Sequence, residues 1–78
     1  MKPKFKKGDI VLIIDNEGYM GEFKGRIGII GDVYFTIPVI HYDVKTDYTY
    51  NVSFRESSLI LIDISDEDRK AFSEIIRL

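Results

Sequence analysis

The chain has 78 residues, no cysteine and a formal net charge of −2. This length allows one domain with a small core, and without cysteine there is neither a disulfide framework nor a thiolate metal site. A negative net charge argues against a dominant nucleic-acid partner, because backbone binding depends on neutralising phosphates. No apolar run approaches the roughly 20 residues that cross a bilayer, and no charged-then-apolar leader is evident. We therefore expect a cytoplasmic protein.

Two apolar, β-branched segments open the chain, each preceded by a basic residue and a glycine. They run from Lys7 to Ile14 and from Lys24 to Ile30. We predict a first strand over residues 9–15 and a second over 26–35, joined by a long glycine-containing loop. The first strand lacks clean alternation, which indicates cover on both sides for part of its length. Gly31-Asp32 interrupts the second strand and predicts a bulge or tight bend.

Three further short strands are predicted. Residues 36–44 form the third, with Ile40, Tyr42 and Val44 pointing inward, and residues 48–54 form the fourth. Residues 55–58 are a tight connection of one 3₁₀ turn, and residues 59–62 are a short fifth strand. Five short strands at close spacing predict a closed barrel, because closure removes the exposed edges.

After the fifth predicted strand, the spacing of apolar residues changes from a strand pattern to a helical one. Ser65 followed by three acidic residues is typical of a helix start. Phe72, Ile75 and Ile76 then follow at i, i+3 and i+4, which predicts an amphipathic helix too short to persist alone in water. We expect a barrel with a short basic N-terminal arm over 1–64, and over 65–78 a helix packed on that barrel or on a partner.

The opening of the chain resembles the KOW-type motif of SH3-like barrels. Lys7-Gly8-Asp9-Ile10-Val11 matches its Lys-Gly-Asp-x-Val lead, and the segment from Gly25 to Ile30 matches Gly-x-x-Gly-x-Ile/Val. Glu56-Ser57-Ser58-Leu59 is similar to the acidic lead into the last strand of such barrels. The resemblance covers about residues 7–62 and implies a mainly β, five-stranded SH3-like barrel, a small stand-alone protein of bacterial or phage origin. Because members of this fold bind RNA, ribosomes, peptides or membrane-complex partners, the resemblance alone implies no single function.

The leading functional prediction is a non-enzymatic module that binds another protein. Aromatic and methionine side chains suit such contact surfaces. The predicted contact residues are Tyr19, Met20, Phe23, Tyr34, Phe72, Ile75 and Ile76. Self-association through the C-terminal helix is a further possibility. The alternative is an RNA- or DNA-binding module that uses four cations expected on one rim, namely Lys6, Lys7, Lys24 and Arg26.

Metal and catalytic chemistry are not indicated. His41 and Asp43 share a predicted strand face and supply half a metal site at most. The segment from Asp15 to Gly18 resembles the start of a calcium loop but lacks the downstream bidentate acid. With one histidine and no cysteine, no nucleophile–base–orienter set is visible. We therefore predict no metal, no cofactor and no enzymatic activity.

Overall fold

The computed structural model describes residues 2–20, 22–36, 38–47, 51–62, 66–68, 70 and 71. Five strands pair antiparallel in a single sheet of order β4-β3-β2-β1-β5. The strands are β1 (Ile10–Ile13), β2 (Ile27–Thr36), β3 (Val39–Lys45), β4 (Val52–Arg55) and β5 (Leu59–Leu61). A 3₁₀ turn, Glu56–Ser58, joins β4 to β5.

One face of the sheet carries the main core. On β3 the burial alternates, and the inward residues are Ile40, Tyr42 and Val44, as the sequence predicts. Residues of all five strands join this cluster, together with Phe5 of the N-terminal arm and Phe23 of the long loop. Since aromatic and β-branched side chains fit a pleated surface, this row supplies most of the apolar burial in a chain that has no cross-link.

The β2–β3 hairpin is irregular where the sequence predicts a bulge. Ile30 pairs with Val44, but the next described pair is Val33 with Tyr42, so the register shifts at Gly31-Asp32. Beyond the bulge the pairing resumes and keeps Val33 on the core side, against the main cluster. A bulge of this kind bends the strand and increases its twist.

The sequence correctly predicts a mainly β protein with five strands and a 3₁₀ turn before the last strand. The hydrogen-bonded sheet is open, however, with β4 and β5 as its edges, and no ladder closes it into a barrel over the described residues. Of the predicted C-terminal helix, residues 66–68, 70 and 71 are helical, and Phe72, Ile75 and Ile76 lie outside the described residues. No described helix is long and apolar enough to span a membrane.

Gly28 provides a test of the packing between β2 and β3. A Cβ added at this position would overlap Cγ1 of Val44 and would lie 3.0 Å from the carbonyl oxygen of Lys45. We expect Gly28→Ala to lower the free energy of unfolding by about 1–3 kcal/mol, because the buried neighbour must move. Urea denaturation monitored by tyrosine fluorescence measures the effect.

Gly31→Ala in the same strand is the matched control. Its added Cβ would meet the Cβ of Asp43 at 3.6 Å, which is ordinary van der Waals contact. We expect this variant to unfold within about 0.5 kcal/mol of the wild type. Equal stabilities for the two variants would contradict the close approach at Gly28.

Candidate functional site

The loop between β1 and β2 is organised by a tight turn at its start. The backbone N–H of Tyr19 donates to the carbonyl oxygen of Asn16 at 2.9 Å, and the two central residues, Glu17 and Gly18, have φ of +50° and +81°. Positive φ at both central positions is typical of a type I′ turn. Glycine adopts this conformation without strain, whereas Glu17 needs compensating contacts to hold it.

Asn16 and Phe23 attach the two halves of this loop to each other and to the core. The Asn16 side-chain oxygen accepts hydrogen bonds from the backbone N–H of Phe23 at 2.8 Å and of Lys24 at 3.3 Å. The Asn16 amide nitrogen donates to the Tyr19 carbonyl oxygen. The Phe23 ring packs edge-on against Phe54 with centroids 5.5 Å apart. The loop is therefore held by hydrogen bonds between its own residues and by packing of the Phe23 ring on the core.

Two side chains of the loop also cover the outer edge of β4. On one edge β4 pairs with β3, and Phe54 lies opposite Tyr42. On the other edge of β4, the backbone N–H of Arg55 donates to Glu17 Oε2 at 2.6 Å. The Tyr19 hydroxyl donates to the Ser53 carbonyl oxygen at 2.6 Å. The Glu17 carboxylate therefore supplies a hydrogen-bond acceptor and the Tyr19 hydroxyl supplies a donor. The backbone of a sixth strand would present the same two kinds of group to the edge of β4. They satisfy backbone groups that otherwise form an open template for strand pairing.

The tip of the loop is apolar and exposed. Met20 is fully exposed, and Tyr19 is partly exposed although its ring packs on Phe23 and Phe54. Burial and the nearby Glu17 carboxylate raise the pKa of the Tyr19 hydroxyl. Phe23, also predicted as a contact residue, is only 4% exposed because its ring packs in the core, so little of its surface is available to a partner in this conformation. Tyr19 and Met20 form what we call the loop tip.

Tyr34 lies on the other face of the sheet. It pairs with His41 of β3, whose side chain alternates with the inward Tyr42, so it does not line a groove with the loop tip. Its hydroxyl donates to Asp43 Oδ2 at 2.9 Å, and this hydrogen bond, with burial and nearby acids, raises its pKa. Tyr34 and its neighbour Phe35 are both exposed. Phe35 pairs with the inward-facing Ile40, so its side chain lies on the face opposite to that of Tyr34.

The four cations predicted on one rim are separated. The Arg26 carbonyl oxygen accepts from Ile13 N–H at the end of β1, whereas Gly8 N–H donates to Ile30 at its start. Lys6 and Lys7 precede Gly8, so the length of β1 separates them from Lys24 and Arg26, and its four residues span roughly 13 Å at 3.3 Å per residue. The prediction of a single rim is wrong because antiparallel neighbours place these segments at opposite ends. The Arg26 guanidinium also bonds both Asp47 carboxylate oxygens at 3.1 Å.

An open groove of about 480 Å³ lies between the N-terminal arm, the start of β3 and the 3₁₀ turn. Its lining residues are Lys4, Pro38, Val39, Ile40, Arg55, Glu56 and Ser57. Glu56 Oε2 accepts from the Tyr42 hydroxyl at 2.6 Å and from the Lys4 N–H at 3.0 Å, and the Tyr42 oxygen also accepts from Lys4 N–H at 2.9 Å. We call this arrangement the arm latch, because it fastens the arm to β3 and to the turn.

The arm latch shifts the ionisation of both its side chains. The hydrogen bond from Tyr42 lowers the pKa of Glu56, with the Lys4 N–H adding to the effect against partial burial. Burial, followed by the hydrogen bond to Glu56, raises the pKa of Tyr42. Over the described residues, no group of three or more acidic or histidine side chains is placed to hold a metal ion. The groove is open to water, and among its polar lining residues Glu56 contributes its side chain to the latch and Lys4 its backbone N–H.

The outer face of β1, β2 and β5 carries an aliphatic surface that the prediction of contact residues missed. The exposed side chains there include Ile14 and Ile60, and Leu61 is exposed at the β5 edge. The missing alternation in the first strand is the signal that could have located it, because both faces of that strand are apolar. Glu17 and Asn16 were missed as loop organisers, since no local pattern links them to β4.

No protein-family model matches this chain, and neither curated proteins nor solved structures yield a match.

The Glu17 carboxylate provides a test of the covered β4 edge. In Glu17→Ala the Arg55 amide loses its acceptor, and we expect this amide to exchange with solvent about tenfold faster, equivalent to about 1.4 kcal/mol. Residue-resolved hydrogen exchange by NMR measures the rate. Glu22→Ala, an exposed glutamate of the same loop, is the control and should leave Arg55 unchanged. An unaltered Arg55 rate in Glu17→Ala would contradict the proposed cover.

The arm latch predicts a pH-dependent contribution of Glu56 to stability. Because its folded-state pKa is lowered, its contribution is fully present above the unfolded-state pKa and is lost as pH falls through the folded-state value. At pH 7 we expect Glu56→Gln to lower the free energy of unfolding by about 0.5–1 kcal/mol, a modest effect because the carboxylate is only half-buried.

The difference between wild type and Glu56→Gln should shrink as the pH falls below the ordinary pKa of glutamate, and it should vanish at still lower pH, once the folded-state carboxylate is also protonated. Urea titrations at pH 7, 5, 4 and 3 follow it. Glu22→Gln, at an exposed loop position, is the matched control and should show little difference from wild type at any pH. A difference for Glu56→Gln that is constant with pH would contradict the charge-assisted latch.

Proposed function

We propose that this protein is a non-enzymatic binding module that docks another protein through the loop tip, Tyr19 and Met20. The observation that carries the proposal is the fully exposed Met20 side chain on a loop whose flanks are tied to the sheet. An exposed loop residue without such anchors would lose much conformational entropy on binding. Here that ordering has already occurred during folding, which favours association.

The chemistry of the loop tip suits a protein partner. Methionine is unbranched and polarisable and adapts to irregular apolar surfaces, which makes it frequent at binding sites. Tyr19 offers aromatic area on a ring already fixed by Phe23 and Phe54, and rigid aromatic anchors are common among residues that dominate binding energy. Binding residues are often carried by loops on a rigid sheet.

The proposal includes an SH3-like architecture. Five antiparallel strands, a long first loop and a 3₁₀ turn before the last strand support it. The shared core cluster also supports a strongly curved sheet, because it unites side chains from β4 and β5, the two edges of the sheet. Full closure into a barrel, and the bacterial or phage accessory role implied by the KOW-type resemblance, belong to the proposal.

A protein partner is favoured over RNA or DNA. Non-specific nucleic-acid binding needs several simultaneous phosphate contacts. The predicted cations lie at opposite ends of β1, and Arg26 is engaged by Asp47. The contact surface proposed here is apolar, so its affinity should depend little on ionic strength.

Met20 allows a direct test. We expect Met20→Glu to reduce recovery of the partner at least tenfold in affinity capture from cells of the source organism, because a charge would be buried at the contact. Quantitative mass spectrometry of the captured proteins provides the measurement. The melting temperature should stay at the wild-type value, since the Met20 side chain is fully exposed. Glu22→Gln in the same loop is the control and should retain full recovery.

Salt separates the two functional classes in the same assay. We expect capture of the partner to change less than about threefold between 50 and 200 mM salt, whereas binding by several phosphate contacts would fall by orders of magnitude. Equal recovery by wild type and Met20→Glu would contradict the loop tip as the contact. Capture that is abolished by nuclease treatment and by 200 mM salt would instead identify a nucleic-acid ligand.

A further inference from the structure

The two edge strands of the sheet are not equivalent. At β4, the side chains of Glu17 and Tyr19 already bond backbone groups on the outer edge. β5 forms the opposite edge and pairs with β1. An edge with outward N–H and carbonyl groups is a template on which an extended chain adds as a further strand. β5 is therefore the edge at which an incoming strand meets no cover from the β1–β2 loop.

The pairing of β5 with β1 determines which backbone groups of β5 point outward. Ile62 N–H donates to the Ile10 carbonyl oxygen at 2.8 Å, so residue 62 bonds toward β1. Hydrogen-bonded and non-hydrogen-bonded pairs alternate along an antiparallel ladder. The next pair, Leu61 with Val11, is therefore of the non-hydrogen-bonded kind. Both backbone groups of Leu61 point away from β1, and they can exchange two hydrogen bonds with an added strand.

An open cleft of about 450 Å³ lies beside Leu61, where the N-terminal arm passes the end of β5. The residues that line this β5 cleft are Pro3, Lys4, Phe5, Lys6, Asp9, Leu61 and Ile62. The side chain of Leu61 is 49% exposed there. Directly opposite residues of paired strands share a face of the sheet. The side chain of an added residue opposite Leu61 would therefore enter the β5 cleft.

The lysines of the arm bring positive charge to the β5 cleft. Lys4 and Lys6 both line it and are exposed. Asp9 lines it too, but this residue is only 8% exposed, and its Oδ2 accepts the backbone N–H of Lys6 at 2.9 Å. The carboxylate is thus directed to the backbone of the arm, whereas the lysine side chains are accessible to a ligand. A ligand with acidic side chains complements this charge.

We propose that the β5 edge binds an extended, acidic segment of a partner protein, which adds to the sheet beside Leu61. The segment exchanges two backbone hydrogen bonds with Leu61, places one apolar side chain in the β5 cleft and directs acidic side chains to Lys4 and Lys6. Because β5 has three residues, these side-chain contacts must supply the specificity. The surface is distinct from the loop tip, and the inference goes beyond the proposed function and does not depend on it.

A second copy of this chain is the less suitable occupant of the edge. Two-fold antiparallel pairing at Leu61 would place the N-terminal arms of both copies on the same face of the joined sheet. Lys4 and Lys6 of one copy would then lie near the same lysines of the other, and like charges at a contact oppose association.

A designed peptide tests the proposal on the full-length protein. In acetyl-Val-Glu-Val-Leu-Val-Glu-Val-amide, a central leucine opposite Leu61 puts both glutamates on the cleft face, and the palindromic order suits either strand direction. We expect saturable binding, measured by fluorescence anisotropy of the labelled peptide, with amide NMR signals shifting at β5. The same peptide with lysine in place of both glutamates should bind at least about tenfold more weakly.

Two substitutions separate the backbone and charge contributions. Leu61→Pro removes the outward N–H, and proline is tolerated on an edge strand at such a position. We expect it to weaken peptide binding about tenfold, whereas Leu61→Ala, which keeps the N–H, should weaken it less than about threefold. Lys6→Glu should weaken binding about fivefold, and Lys24→Glu, the same charge change at the other end of β1, should have little effect. Met20→Glu should bind the peptide as the wild type does.

A peptide methylated on the nitrogen of its central leucine keeps the test decisive if Leu61→Pro does not fold. Lacking that donor, it should bind at least about tenfold more weakly than the parent peptide. Equal binding of these two peptides, or of the glutamate and lysine peptides, would overturn the proposal. So would the absence of saturable binding up to about 1 mM peptide, or signals that shift at β4 instead of β5. A dimer that sedimentation detects without peptide, and that Leu61→Pro dissociates, would identify a second copy as the occupant and would also overturn it.

Discussion

The packing of Phe23 against Phe54 is the contact on which the rest of the structure depends. It joins a loop next to β1 to an edge strand that is three places away in the sheet. At about 4.8 Å per strand, a flat sheet would separate these elements by some 14 Å. The contact therefore requires a curved sheet with the loop folded over its inner face. Burial of these rings supplies much of the apolar stabilisation available to so small a chain.

Two sets of hydrogen bonds fix the β1–β2 loop and the N-terminal arm, which apolar packing alone would not hold in one position. Glu17 and Tyr19 occupy backbone groups on the outer edge of β4, and the arm latch fastens Lys4 to Tyr42 and Glu56. Each links segments far apart in the sequence through a side chain bonded to a backbone N–H or carbonyl group. Their net energies are modest, but they select one arrangement of the loop and the arm. The exposed Met20 keeps its position for this reason.

Both faces of β1 are apolar, so the sheet carries more apolar surface than the main core uses. Val11 and Ile13 belong to the main cluster, while Ile10 is equally buried on the opposite side. A strand buried on both faces needs cover on both. The loop and the N-terminal arm lie over the inner face. On the outer face of the same strand, burial falls from Ile10, which is fully buried, to Ile14, which is exposed.

Local sequence patterns determined the strand content, the inward set of β3, the bulge after Ile30 and the 3₁₀ turn at Glu56, because period-two alternation and glycine placement act between near neighbours. Only the tertiary structure decided that Phe23 is buried while Met20 is exposed. It also decided that Tyr34 lies on the other face of the sheet from the loop tip. Likewise, it placed Lys7 and Arg26 at different ends of β1. Those outcomes depend on curvature, register and strand direction, which arise from contacts between residues dozens of positions apart. No local pattern encodes such contacts, so residue type indicated which side chains suit binding while three-dimensional packing determined which of them are available.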